Sequence, residues 1–308
     1  MKNATLLPML FLLFLGGLAM LAFAEDEPAV PETLVSKVFD ISAVSASEQQ
    51  RIFQYPRLGF DYDADEAFEL MMDELMYPGE VVDYIYNETG PENWSAAKGT
   101  YITQLGEDKI TVRNTELMVA MVEGTLGKLM PKRLSWRVTG AVYHFADNSG
   151  DGITLDLAHK QFENWAAATE IMKGLGAQLA FSFNTVLKTN RSSVQATTEK
   201  SEYLKEYIAR VANFTRGYEL ITGTYTVGYV VGMKVLESEG KATLNVKFDA
   251  CHASQIQTFE TPAGTLQKPS LRMYSTRPSS VAIEPGKTAV FTHSFGKDAY
   301  VLIIGVSE

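Results

Sequence analysis

The adjacent residues Cys251 and His252 have the chemistry of a nucleophile and its base, because an imidazole that accepts a thiol proton leaves a reactive thiolate. They sit in an alternating run, however. Neighbours on a strand point to opposite faces, so the two side chains cannot meet. The reading that follows is a packed thiol beside a surface histidine. Asp61-x-Asp63-x-Asp65 has the acidic spacing of a calcium loop, but Glu66 stands where such a loop needs Gly, and Met72 where it needs its closing Glu. Asp147-x-Ser149-x-Asp151-Gly152 has the glycine but ends on Ala158 instead of an acid. Both read as solvated turns. One cysteine and four histidines (His144, His159, His252, His293) leave no disulfide framework and no Cys-rich zinc site. No glycine-rich phosphate loop, Gly-x-Ser-x-Gly elbow or His-Glu-x-x-His pair occurs. Asn87, Asn93, Asn190 and Asn213 open Asn-x-Ser/Thr sequons, which matter only in a eukaryotic host. The chain is therefore expected to have no catalytic residue, no metal ligand and no cofactor, and not to be an enzyme.

If chemistry is scarce, the elements carry the information. The 308 residues are 46% apolar and 21% charged, enough apolar mass for one large or two ordinary cores. The net charge of -10 argues against wrapping a phosphate backbone, so no nucleic-acid partner is expected. Lys2, the apolar run Leu6 to Ala22 and the small-x-small triplet Ala22-Phe23-Ala24 have the form of a signal peptide cleaved after Ala24, with Glu25-Asp26-Glu27 following. That run is short for a bilayer span. Export is expected, and the lack of any disulfide fits a bacterial periplasm. From Glu25 to Pro131 there are 7 basic and 21 acidic residues; from Lys132 onward there are 19 and 16. The charge step and Pro131 together set a domain boundary there, giving a leader over 1–24 and domains over 25–131 and 132–308.

The first domain is expected to be a small α/β unit of order β-α-β-β-α. Leu34 to Ile41 reads as a strand. Glu66 to Met76 has apolar residues at helical spacing, and a second helical run carries Val82, Ile85 and Tyr86. Gly99 to Leu105 and Lys109 to Arg113 form a hairpin about Gly106-Glu107-Asp108. Asn114-Thr115 caps a helix carrying Leu117, Met118, Met121, Val122, Thr125, Leu126 and Leu129 on one stripe. The second domain opens with a strand over Leu134 to Phe145 and has one clear helix, Asn164 to Leu175. The rest alternates. From 219 to 235 one face reads Ile221, Gly223, Tyr225, Val227, Tyr229, Val231, Met233, Val235, and the other is rich in Thr and Gly. That run is far longer than the usual strand of about 5 or 6 residues. After a turn at Ser238-Glu239-Gly240, Ala242, Leu244, Val246, Phe248 and Ala250 alternate with polar residues. Two long amphipathic strands joined by a tight turn belong in a large sheet or barrel, or in a tall sandwich. The fold class is α+β: a β-α-β-β-α domain, then a mostly antiparallel β domain with long hairpins.

Several segments resemble the secretin family, the ring-forming outer-membrane channels of type II and III secretion and type IV pili. The first domain carries Lys37-Val38-Phe39-Asp40-Ile41, Pro91-Glu92-Asn93-Trp94 and Ile110-Thr111-Val112-Arg113-Asn114-Thr115, similar to a secretin N-domain. In the second domain the cues are Ile171 to Ala177, Thr185 to Asn190, Val227 to Val235, Ser280 to Thr288 and the closing Tyr300 to Gly305. The family's Val-Pro-x-Leu-Gly gate segment is not found: Phe291 to Asp298 runs straight into the last strand. One N-domain is present where transport secretins carry several, and no pilotin-binding segment follows Glu308. The resemblance implies an exported periplasmic or outer-membrane subunit that acts by homo-oligomerisation. Its implied partners are copies of itself, other secretion or pilus components and the outer membrane. It also implies that Tyr225, Val227, Tyr229 and Val231 form an assembly or barrel strand. A small ring and a monomeric relative both fit the departures. The alternative of another class is a soluble periplasmic binding or hydrolytic β-domain.

Overall fold

The computed structural model describes residues 33–61, 68–73, 75–145, 160–212, 215–238, 241–295 and 298–307. The leader with its Ala24 cleavage site, most of the first acidic loop and all of the second lie outside them.

The N-terminal unit is built on three antiparallel strands, β1 (Leu34–Asp40), β6 (Lys109–Thr115) and β5 (Tyr101–Leu105), in the order β1-β6-β5. Helices α1 (Pro78–Glu88) and α2 (Glu116–Leu129) supply the apolar partners of one sheet face. Ile110 and Val112 of β6 meet Val81 and Ile85 of α1 and Val122 and Leu126 of α2 in one core. Each helix starts where its sequence says it must. Pro78 opens α1, and Glu80 reaches back to accept from the Tyr77 amide at 2.7 Å. Thr115 Oγ1 accepts from the Met118 amide to cap α2. The expected β-α-β-β-α order is present in these five elements.

One expectation fails. Glu66 to Met76 is not a helix: its described part holds strand β4 (Phe68–Met72), paired antiparallel with β2 (Ile52–Pro56). A short apolar run carries helix and strand periodicity alike, and a pairing partner decides between them. The two strands, with β3 (Gly59–Asp61), leave the N-terminal unit and lie on the second one.

The second unit has two sheets. One has the order β8-β15-β16-β7-β9, with β7 (Ser135–Phe145), β8 (Gln161–Phe162), β9 (Gln178–Lys188), β15 (Thr288–Phe295) and β16 (Asp298–Ser307). The other is a meander of β10 (Ser192–Ala212), β11 (Thr215–Ser238), β12 (Lys241–Thr261) and β13 (Gly264–Ser275). To it β14 (Ser279–Ile283) adds on β12 and β3 on β11. The core between the sheets joins Trp136 and Leu187 to Val231, Met233, Val235, Leu244, Val246 and Phe248, and to Tyr300 and Leu302. Helix α3 (Trp165–Gly174) covers the far face of the first sheet, packing Ala168 and Met172 on Tyr143, Val301 and Ile303. Strand β16 is therefore covered on both faces, which is why Tyr300 to Ile304 is an unbroken apolar run.

Candidate assembly surface

The two hairpins β10–β11 and β12–β13 share one sheet at their base and part company at a fork. From Ser238 back to Gly228, β11 pairs with β12, ending on Gly228 opposite Cys251. Beyond that point β12 leaves with β13, while β10 stays on β11 to the tip. A strand has two edges, and β10 occupies one of them along β11. Strand β3, which pairs Gly59, Phe60 and Asp61 with Thr226, Tyr225 and Thr224, must therefore sit on the edge that β12 has vacated.

Two glycines make the fork sterically allowed. Gly228 has φ +130°, and a Cβ built there would lie 2.0 Å from the Thr197 carbonyl oxygen. Gly59 has φ +104° and is pressed on Met273, whose Sδ would lie 2.6 Å from a Cβ. Its amide donates to the Cys251 thiol. That thiol is fully buried, and burial pushes its pKa up to about 11, the opposite of what a nucleophile needs.

The four residues read as one assembly face have different surroundings. Val231 is fully buried in the core between the sheets. Tyr229 is half-buried, stacked on Phe248 at 6.4 Å and edge-on to His252 at 5.2 Å. Val227 is half-buried and lines a cleft of about 410 Å³ with Thr197, Thr198, Glu199, Cys251 and His252. Tyr225 is buried away from that core, between Phe60 of β3 (6.4 Å) and Tyr203 of β10 (6.1 Å). The Thr- and Gly-rich face is not solvated near the base either: the Tyr55 ring from β2 lies over Gly232, and Val230 is fully buried.

A polar cluster holds the two sheets together beside the fork, and sequence reasoning missed it. A carboxylate can only accept, so His144 Nε2 carries its proton toward Asp298 Oδ1, 3.0 Å away. Tyr274 donates to Asp298 Oδ2 at 2.5 Å, and Arg272 stands 3.6 Å from the same oxygen. His252 Nε2 is hydrogen-bonded to the Tyr300 hydroxyl at 2.6 Å, and the His144 ring stacks on Tyr300 at 4.8 Å. Burial, then the neighbouring His144, depresses the His252 pKa; burial alone depresses that of His293. Burial and the charges around it push the Tyr300 hydroxyl up. Asp298 is driven up by burial, but Tyr274, His144 and Arg272 outweigh it and hold the carboxyl below its ordinary value. These groups come from four strands far apart in sequence, so no local spacing signals them. Cys251 and His252 lie on opposite faces of β12 as expected and the thiol is packed, but His252 is half-buried between the sheets against Tyr300 and is not the surface histidine expected. Among the described residues no group of acids, histidines and cysteine is placed to hold a metal.

Beyond the fork the strands are long and exposed. Tyr218 and Leu220 of β11 are 57% and 60% exposed, and Ile256 and Phe259 of β12 45% and 48%. The outer strands β10 and β13 each have one strand partner among the described residues, β11 and β12, and no strand pairs with their other edges. The distal hairpins lean on each other: the Leu204 amide donates to Gln267 Oε1, and Tyr207 stands over Gly264.

No protein-family profile and no curated protein matches this sequence. Among solved structures, the InvG secretin-domain β-barrel of the Salmonella SPI-1 injectisome aligns over 90% of this chain and 88% of its own, at 10% identity and TM-score 0.38. The V. cholerae type IV competence pilus secretin PilQ aligns over 97% and 82%, at 8% identity and TM-score 0.33. The E. coli K12 type II secretion system secretin GspD aligns over 89% and 76%, at 9% identity and TM-score 0.34.

Proposed function

We propose that this chain is an exported, secretin-like subunit of a multimeric outer-membrane or periplasmic assembly of the secretion or pilus kind, working by oligomerisation and not by catalysis. The observation that carries the reading is the four-stranded meander with two unlike outer edges, β10 and β13. An edge strand presents a row of unused N–H and C=O groups that seeks a partner. Two different edges that pair with each other make a head-to-tail contact, and a head-to-tail contact that closes is a ring. The 24 residues of β11 extend over roughly 80 Å, several times the usual strand. Such strands give a subunit far more edge than its own core requires. The segment resemblances of both domains to secretins point the same way.

The test is crosslinking of the native membrane fraction followed by sizing on a denaturing gel. Two consecutive β10 positions, Thr198 and Glu199, are each changed to Pro. Along an edge strand successive amides point alternately inward and outward, so one Pro breaks the pairing with β11 and the other removes only an outward donor. The outward-facing Pro is expected to abolish a high-mass species while the monomer stays folded. A wild-type protein that is monomeric at every concentration sinks the assembly reading. Export is checked separately by intact mass of the native protein, which is expected to begin at Glu25.

A further inference from the structure

We propose that the fork is a strand-exchange switch: β3 is seated in a slot of β11 that β12 can take, and its release lets β12 close onto β11 into one continuous four-stranded sheet. The first support is the register. Gly228 faces Cys251, and continuing that pairing by two residues sets Thr226 opposite Ala253. Extended to the end of β12 at Thr261, the same register reaches Tyr218, three residues short of the end of β11, so the distal lengths nearly match for a pairing they do not make. The second is what blocks it. Three residues of β3 hold Thr224, Tyr225 and Thr226, anchored by the Phe60 ring against Tyr203 and Tyr225. The third is asymmetry of gain. Strand β3 makes three residues of ladder, whereas closure would pair the rest of the β11 edge with β12, and neither has a strand partner there among the described residues. Closure would also draw β13 away from β10, undoing the contacts of Leu204 with Gln267 and of Tyr207 with Gly264. The forked state thus leaves the distal hairpins leaning on one another through side chains, and the closed state releases the β10 and β13 edges from those contacts.

This consequence rests on the assembly reading; the exchange itself is intramolecular. It is tested with a reporter, Thr226→Cys with Ala253→Cys, in a Cys251→Ala background. With β3 paired to Thr226 on that edge, a strand stands between the two positions, and two strand spacings, roughly 9.5 Å, exceed the roughly 7 Å between Cα atoms that a disulfide allows. Closure brings them opposite each other. Truncating the anchor with Phe60→Ala removes one half-exposed ring and is expected to speed disulfide formation roughly tenfold, because trapping scales with the fraction of open slot. Equal rates with and without Phe60 overturn the proposal. A second variant keeps every native contact of the anchor: Asp61→Cys with Thr224→Cys, opposite each other in the β3–β11 register, locks β3 in. Oxidised, it is expected to stay monomeric where the wild type multimerises, and to recover with reductant. A locked chain that assembles like the wild type also overturns the proposal. A reporter that closes in a protein that never multimerises keeps the switch and removes the assembly reading instead.

Discussion

At the scale of single residues, Gly228 carries the sharpest consequence. Its φ of +130° is closed to other residues, and its missing side chain makes room for the Thr197 carbonyl. Gly228→Ala is expected to cost on the order of 3 kcal/mol, from backbone strain and a backbone clash that no side chain can relieve. Gly217, on the same strand with nothing near it, is the control, and Gly217→Ala is expected to change stability by under about 0.5 kcal/mol. Urea midpoints of the two variants check the contrast. Protonation is the other residue-scale lever. His252 and His293 have folded pKa values depressed below 6.5, so as the pH falls through 6.5 the unfolded chain takes up protons before the folded one. Their share of stability is full above 6.5 and is lost below it. Around His252 stand His144, Arg272, Asp298, Tyr229, Tyr274 and Tyr300, of which His144 and Arg272 oppose its charge and Asp298 favours it. Wild-type stability is expected to fall from pH 7 to pH 5, and His252→Gln with His293→Leu to flatten that slope. Denaturant melts at several pH values give the answer, and a slope unchanged in the double variant refutes it.

Elements are the scale at which the excursion β2–β4 matters. A two-stranded hairpin is not stable alone in water, so its docking must hold it. Asp73, directly after β4, is buried and accepts from the Ser192 amide at 3.0 Å and the Ser192 hydroxyl at 2.6 Å, with Lys234 Nζ 3.5 Å away. Beside it Lys247 lies over the Tyr55 ring at 4.2 Å. Arg191 donates to the carbonyls of Ser42, Ser45 and Gln50, clamping the stretch that leads into β2. Asp73→Ala strands two half-buried donors of Ser192 and a lysine, and is expected to cost about 2–3 kcal/mol. Asp73→Asn, which still accepts, is expected to lose less. Calorimetry of both variants separates the outcomes. The hairpin's existence was not legible, since the same apolar residues at 68, 71, 72, 75 and 76 also fit a helix. By contrast α1, α2, α3 and the β5–β6 hairpin were legible, because each carries its own cap, turn or stripe.

For the whole molecule, the question is how the acidic N-terminal unit and the β unit are joined. The charge step leads one to expect a boundary near Pro131, and the backbone just after it is held: the Lys132 and Arg133 amides donate to the Glu237 carboxylate at 2.8 and 3.1 Å. Limited trypsinolysis at Lys128, Lys132 or Arg133 is expected to be slow in the wild type and faster in Glu237→Ala. After the cut the two pieces are expected to co-elute on gel filtration, because β2, β3 and β4 remain docked on the β unit. Fragments that separate without denaturant contradict that docking.

The amino-acid sequence by itself determined the local part of this protein. Alternation over 219–235 and 241–250 called for two long paired strands, and β11 and β12 are those strands. Periodicity and capping are properties of neighbours along the chain, so they can be read without a partner. Tertiary structure alone decided the rest. It placed β3 on the β11 edge, covered the Thr- and Gly-rich face with Tyr55, put Tyr225 and Val231 of one alternating face into separate packing environments, and gathered His144, His252, Arg272, Tyr274, Asp298 and Tyr300 at one junction. Those choices depend on which edge is left open when other strands have taken their places. That is a contest between segments remote in sequence, and no spacing within any one of them records its result.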